Sequence, residues 1–231
     1  LNESKKRQED IRNSLDEISV MHSRINCNER FSQIKNYILW YCSDPSMCDA
    51  GMGVSVSHLS SIEKWYKSTE EPYAIFAEDD IDLTVSKYWH FRFKDVVDRL
   101  PADWEAVQLV RIRNEQDYGG LRLRERQWND WGCAAFLIKR EYARKILDRN
   151  LSNNTYALVA DSYQPIVENI MFTGLGKVYN LPLFVEHIYD SDNCDTWDAQ
   201  RGVKDFHRAS SEYYVSEWKN NTLTLDEIMG I

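Results

Sequence analysis

Tyr73-Ala74-Ile75-Phe76-Ala77 is a short apolar run that ends abruptly in Glu78-Asp79-Asp80. Pro72 bounds it on the other side, so the pattern predicts a buried strand over 73–77. Three further runs of the same kind predict strands at 104–112 (WEAVQLVRI), 133–139 (CAAFLIK) and 177–187 (KVYNLPLFVEH). The last is expected to be interrupted at Pro182, which has no N–H to give to a ladder. Residues 37–42 (YILWYC) read as a strand or a short buried segment.

Helical spacing fills the intervals. Ser4 is placed to cap a helix over roughly 5–20, with Ile11, Leu15 and Ile18 on one face. Gly51 and Gly53 are expected to break the chain before a helix that aligns Val54, His58, Ile62, Trp65 and Tyr66. Residues 86–100 look helical up to Pro101, residues 140–151 form a helix directly after a strand, and 162–172 predict another. The stretch 113–132 is polar and rich in arginine, with Gly119-Gly120 inside it, and reads as loop plus hairpin. Beyond 190 the periodicity is weak until TLDEIMG at 224–230.

Strands alternating with helices predict an α/β sandwich with a mainly parallel central sheet. In such sheets ligands bind beyond the carboxyl ends of the strands. Glu78, Asp79, Asp80 and Asp82 lie at such an end, so the acidic cluster stands where a ligand is expected.

Composition narrows the ligand. The chain has 231 residues, enough for one domain spanning 1–231, and its net charge of −9 disfavours binding nucleic acid through phosphates. No apolar run approaches the length needed to span a bilayer. Among five cysteines no CxxC pair suggests zinc or redox chemistry. Cys42 and Cys48 can close a small loop in an oxidising compartment, and Cys133 reads as a small core residue.

Adjacent carboxylates repel, and burial raises that cost, so a cation is expected among them. A hard divalent ion, Mg²⁺ or Mn²⁺, suits such oxygens and takes its remaining ligands from water and substrate phosphates. The alternative is a solvated acidic turn that caps the next helix.

The order GMGVSVSHLSSIEKW, apolar strand, EDD, then LPADWEAVQL, resembles glycosyltransferase family 25, which includes lipopolysaccharide-modifying enzymes and collagen galactosyltransferases. Gly132-Cys133-Ala134-Ala135-Phe136-Leu137-Ile138 followed by KREYARKIL matches the family's G-x-A-[FY]-x-I strand leading into a helix. LNESKKR matches the end of the family's opening motif, and the family's first strand is expected to precede Leu1. The resemblance spans about residues 1–188; Gly51-x-Gly53 is tighter than the family's glycine spacing.

The resemblance implies a GT-A fold, a three-layer sandwich, and inverting transfer of a sugar from a nucleotide donor, usually a UDP-sugar, to a hydroxyl of a glycan or glycoprotein. A metal bridging the diphosphate would neutralise the leaving group's charge. By this resemblance Asp80 is the direct metal ligand, Asp82 is a rival that shares the metal, and His187 completes the site. Glu78 and Asp79 would bind ribose, metal-bound water or nearby backbone, and Arg7, with Lys6, would approach the diphosphate.

An inverting transfer needs a base for the acceptor hydroxyl. Asp161 is the choice, because it follows an apolar run and opens a helix where GT-A enzymes place the base; Asp130 is second. An aspartate there also serves as an ordinary N-cap. His58 matches the family's S-H-L histidine and is read as structural, with Ser57 as a cap or backbone partner. Trp128, Trp131 and Tyr118 either stack on sugar rings or pack their loop. Two other function classes stay open: an inactive relative that binds sugar or nucleotide sugar, and a metal-dependent phosphohydrolase, for which no D-x-D-x-T motif is present.

Overall fold

The computed structural model describes residues 45–113, 119–153, 155, 156, 158, 167–187 and 203–231. The expected helix at 5–20, the segment 37–42, the pairing of Cys42 with Cys48 and residues 162–166 lie outside these. The helices are α1 (Pro45–Ser68), α2 (Phe93–Val97), α3 (Arg140–Asn150), α4 (Val167–Phe172), α5 (Val203–Lys219) and α6 (Leu225–Met229). The strands are β1 (Tyr73–Ala77), β2 (Ile81–Asp82), β3 (Ala106–Val110), β4 (Arg124–Glu125), β5 (Ala135–Lys139), β6 (Leu151–Ser152), β7 (Thr155–Tyr156) and β8 (Val178–Glu186).

The protein is mixed α/β with an open sheet in the order β1-β5-β3-β8-β2, β4 joining β8, and a separate β6-β7 hairpin. β3 runs parallel to β8, whereas β2 and β4 run antiparallel to it. The sheet therefore contains both parallel and antiparallel strands. β1 stands where a buried strand was expected, but it is an edge strand in which only Phe76 is buried, whereas β3 is buried along its whole length. The chain divides into two compact units, and the division falls inside β1 and β5.

The first unit holds the described residues 77–136 and 178–231. β8 runs unbroken through Pro182. Its register against β3 shifts between Gln108 and Val110, opposite Asn180 and Phe184, so Pro182 falls at an irregularity where no ladder donor is needed. On the other side β4 pairs at 179–180 and β2 at 185–186, again leaving Pro182 between partners. Its carbonyl accepts from Trp218 Nε1 on α5 at 2.7 Å.

α5 escaped the periodicity reading because its buried stripe, Ser210, Tyr214 and Trp218, includes a serine. The Ser210 hydroxyl donates to Arg111 O and accepts from Arg113 N, so a polar atom is satisfied inside the core. Trp218 joins Trp89, Phe91 and Phe184 in one aromatic cluster with ring centroids 5.5–6.1 Å apart. Residues 86–100, expected as one helix, instead hold the end of a 3₁₀ turn (Thr84–Tyr88) and the short α2, because Trp89 and Phe91 turn into this cluster.

The second unit holds the described residues up to Phe76 and from Leu137 to Lys177. Gly51 and Gly53 do not break the chain but lie within α1, and packing outweighs their cost of about 1 kcal/mol each. α1 buries Val56, Leu59, Ile62 and Trp65, positions that recur at helical spacing. Arg140 fastens the start of α3 to the end of α1: its guanidinium donates to Tyr66 O and Thr69 O at 2.7 Å and lies over the Tyr66 ring. Tyr142 Oη donates to Met171 O at 2.9 Å, and buried Glu63 accepts from Lys67 and Tyr156.

Candidate site at the acidic turn after β1

The acidic stretch is not a free strand end but a tight turn. Ala77 closes β1, Asp79 and Asp80 form the turn, and Ile81-Asp82 returns as β2. Glu78 N donates to Ala134 O at 2.7 Å, and His187 N donates to Asp80 O at 2.6 Å. Ile81 then pairs with Glu186 and Asp82 with Val185, while Ile81, Leu83 and Val85 are buried. Backbone pairing on both sides thus holds Glu78, Asp79, Asp80, Asp82, Glu186 and His187 in one place within the first unit.

Asp80 is strongly perturbed. Its Oδ1 is buried without a hydrogen-bond partner. Burial, then the charges of Glu78, Glu186 and Asp79, push its carboxyl up to about 8, against a lowering by a backbone hydrogen bond. A carboxylate oxygen that is buried and unpaired costs free energy unless a cation or a donor reaches it.

The neighbouring groups are engaged. Asp82 Oδ1 accepts from Thr84 N at 2.7 Å, and its Oδ2 lies 3.6 Å from His187 Nε2. Glu186 Oε2 meets His207 Nδ1 at 2.9 Å, and Ser211 Oγ donates to Glu186 O. Of the expected metal residues, Asp82 and His187 are thus brought together, and Asp80 is tied to His187 through the backbone.

No group of three or more His, Cys, Asp and Glu side chains among the described residues is arranged to hold a metal. The donor set does not make a closed protein cage. It is compatible only with a hard cation that takes one or two carboxylates and draws its other ligands from phosphate and water, and Asp80 Oδ1 is a buried oxygen without a hydrogen-bond partner.

No family model matches the chain, and no curated protein matches it. The site therefore stands on its own geometry.

Asp130, second choice as base, is excluded from that role by its surroundings. It is fully buried, accepts from Arg124 Nη2 at 2.5 Å and Gln127 N at 2.7 Å, and has Arg113 Nε at 3.7 Å. These contacts brace the loop from 124 to 131. Asp161, Arg7, Lys6 and Tyr118 lie outside the described residues.

Ser57-His58-Leu59, expected at a helix start, lies well inside α1. Ser57 Oγ donates to Gly53 O, four residues back, as a backbone partner within the helix, while His58 is buried. Trp128 is 80% exposed, and Trp131 pairs its backbone with Ile112. Gly132 has φ +102°, and a Cβ there would meet Val110 Cγ1 at 3.2 Å, which explains a glycine ahead of β5.

Glu186 and His207 were missed by sequence reasoning. The VEH ending of β8 was a signal for the first, since Glu186 adjoins His187. The second had none, because α5 itself was not recognised.

Proposed function

We propose that the protein is a metal-dependent inverting glycosyltransferase. It would move a sugar from a UDP-sugar to a hydroxyl of a glycan or glycoprotein. The observation that carries the reading is Asp80 Oδ1, a buried, unpaired carboxylate oxygen among Glu78, Asp79 and Glu186. The resemblance to glycosyltransferase family 25 and a GT-A fold supplies the reaction class, and the mixed α/β sheet is compatible with it.

In this reading Asp80 holds Mg²⁺ or Mn²⁺, with Asp82 and His187 beside it. Such a cation, when bound, supplies positive charge for the diphosphate leaving group. Glu78 and Asp79 orient the donor and water, Arg7 approaches the diphosphate, and Asp161 accepts the acceptor's proton. Backbone pairing of the turn to β8 keeps the acidic groups together before any ligand arrives, so little reorganisation is needed on binding.

The test is UDP release from a panel of UDP-hexoses with Mn²⁺ and mixed glycan acceptors. Release that requires acceptor and is lost in Asp80→Asn supports the reading. Equal release by the variant would remove Asp80 from the metal. Donor hydrolysis indifferent to acceptor would point to a phosphohydrolase. Mn²⁺-dependent UDP binding without turnover would identify an inactive nucleotide-sugar-binding relative.

A further inference from the structure

The segment from Gly119 to Arg122 and the end of α5 enclose a cleft of about 400 Å³ within the first unit. Its floor is held from below. The buried Arg111 guanidinium donates through Nη1 to Gly120 O at 2.9 Å and through Nη2 to Arg122 O at 3.3 Å. Gly119, at φ +72°, packs so closely on this guanidinium that a Cβ there would meet Arg111 Nη1 at 3.2 Å. The wall is the end of α5 and the turn after it. Asn221 spends its amide on that turn: Oδ1 accepts from Leu223 N at 2.9 Å, and Nδ2 donates to Leu223 O at 3.4 Å. Tyr213 joins wall to floor, since its hydroxyl accepts from Gly120 N and donates to the Glu217 carboxylate. Both sides are thus fixed before any ligand arrives, which lowers the cost of binding one.

The polar groups left over define the ligand. Among the described residues, the exposed Arg122 guanidinium and the exposed Thr222 hydroxyl have no hydrogen-bond partner. Asn220 Nδ2 donates to Ser216 O at 3.0 Å, so its Oδ1 remains an open acceptor. Glu217 adds a half-buried carboxylate. The cleft therefore presents donors and acceptors together at fixed positions. Its charge is offset: besides Glu217, Arg122 has Glu227 close by, a carboxyl held low first by the Thr224 backbone and hydroxyl and then by Arg122. One cation among two carboxylates disfavours phosphate, and no lining residue is aromatic to stack a base. A peptide would bring apolar side chains, for which only Leu121 and Leu223 stand in the lining. A neutral saccharide fits, because each of its hydroxyls both donates and accepts.

We propose that this cleft, which shares no residue with the acidic turn, binds a neutral oligosaccharide. α5 reaches both places: His207 bonds Glu186 near its start, and Glu217 lines the cleft about 15 Å further along the helix. A chain of a few sugar units bridges that distance, so the cleft would hold a distal unit of a glycan acceptor whose end group lies at the acidic turn. That last assignment rests on the glycosyltransferase reading, whereas the saccharide chemistry of the cleft does not.

The test uses the full chain labelled with ¹⁵N, its backbone resonances assigned. Maltotriose, chitotriose and mannotriose are titrated to millimolar concentration, as are inorganic phosphate and, separately, UDP with Mn²⁺. The amides of Gly119, Gly120 and Thr222 should move saturably with at least one trisaccharide and stay still with phosphate. Thr222→Val and Arg122→Ala replace exposed side chains, so both should melt as wild type does and weaken that trisaccharide about 3- to 10-fold, the worth of one hydrogen bond. If none of the three trisaccharides moves these amides, the proposal is overturned. Movement by phosphate alone would show an anion site instead, and undiminished affinity in both variants would place the sugar elsewhere. A trisaccharide response in the cleft with no response to UDP would keep this site and remove the glycosyltransferase reading. The reverse pattern would do the opposite.

Discussion

Asp80→Asn should stabilise the metal-free protein at neutral pH, although it removes an ionisable group from the centre of the candidate site. The Asp80 carboxyl is pushed up to about 8 in the fold, from an ordinary value of 3.8. The folded state therefore keeps this proton up to about pH 8, while the unfolded chain loses it near pH 4. Folding takes up a proton throughout that window, so stability falls as pH rises from 4 to 8 and levels off above. The full shift corresponds to about 6 kcal/mol, and solvent reaching the half-buried residue brings the expected penalty at pH 7.5 to about 1–3 kcal/mol. Asparagine keeps the shape and cannot ionise beside Glu78, Asp79 and Glu186. The variant should melt about 2–10 °C higher than wild type at pH 7.5 without metal. The two should converge towards pH 4–5.

With millimolar Mn²⁺ the order should change: wild type gains stability by binding, and the variant gains little. The wild-type gain should grow from pH 6 to pH 9, because the cation displaces the proton. The assay is thermal unfolding across pH 4–9 with EDTA or with Mn²⁺. If Asp80→Asn melts at or below wild type at every pH in EDTA, the buried, mutually repelling cluster is wrong. Equal stabilisation of both proteins by Mn²⁺ would place the cation elsewhere.

Other substitutions separate fold from chemistry. Asp130→Asn should lower stability by about 2–4 kcal/mol by leaving Arg124 and Arg113 without their buried counter-charge, with turnover per folded molecule unchanged; denaturant melts alongside an activity titration check this. Trp218→Ala should cost about 3–5 kcal/mol, since it opens the aromatic cluster and frees Pro182 O, and urea unfolding reads it directly. Asp161→Asn should keep donor binding and melting temperature, because Asn caps a helix as well as Asp, and should slow transfer about 10²- to 10⁴-fold; initial rates at saturating donor decide it.

The parts of the fold legible in the sequence are those where hydrophobicity alone sets the element. β3, β5 and α3 follow runs whose periodicity is unambiguous. The misreadings fall where another force takes over. α5 hides a serine in its core stripe, and two helical glycines in α1 are outweighed by burial. Pro182 is absorbed by a register shift, and residues 86–100 bend into an aromatic cluster instead of continuing a helix. The acidic turn was legible because three adjacent carboxylates after an apolar strand are physically expensive. Its company, Glu186 and His207, was not, because it comes from a strand pairing and a helix more than 100 residues further along.

The central claim is a metal-dependent diphosphate site at Asp80, and calorimetric titration of UDP into the full chain tests it most directly. UDP is the part common to all UDP-sugars, so the unknown sugar does not intervene. The account predicts saturable, one-to-one binding in Mn²⁺, its loss in EDTA, and its loss in Asp80→Asn with Mn²⁺ present. UDP binding of equal strength in EDTA, or in the variant, would contradict it, as would the absence of binding at millimolar UDP with Mn²⁺.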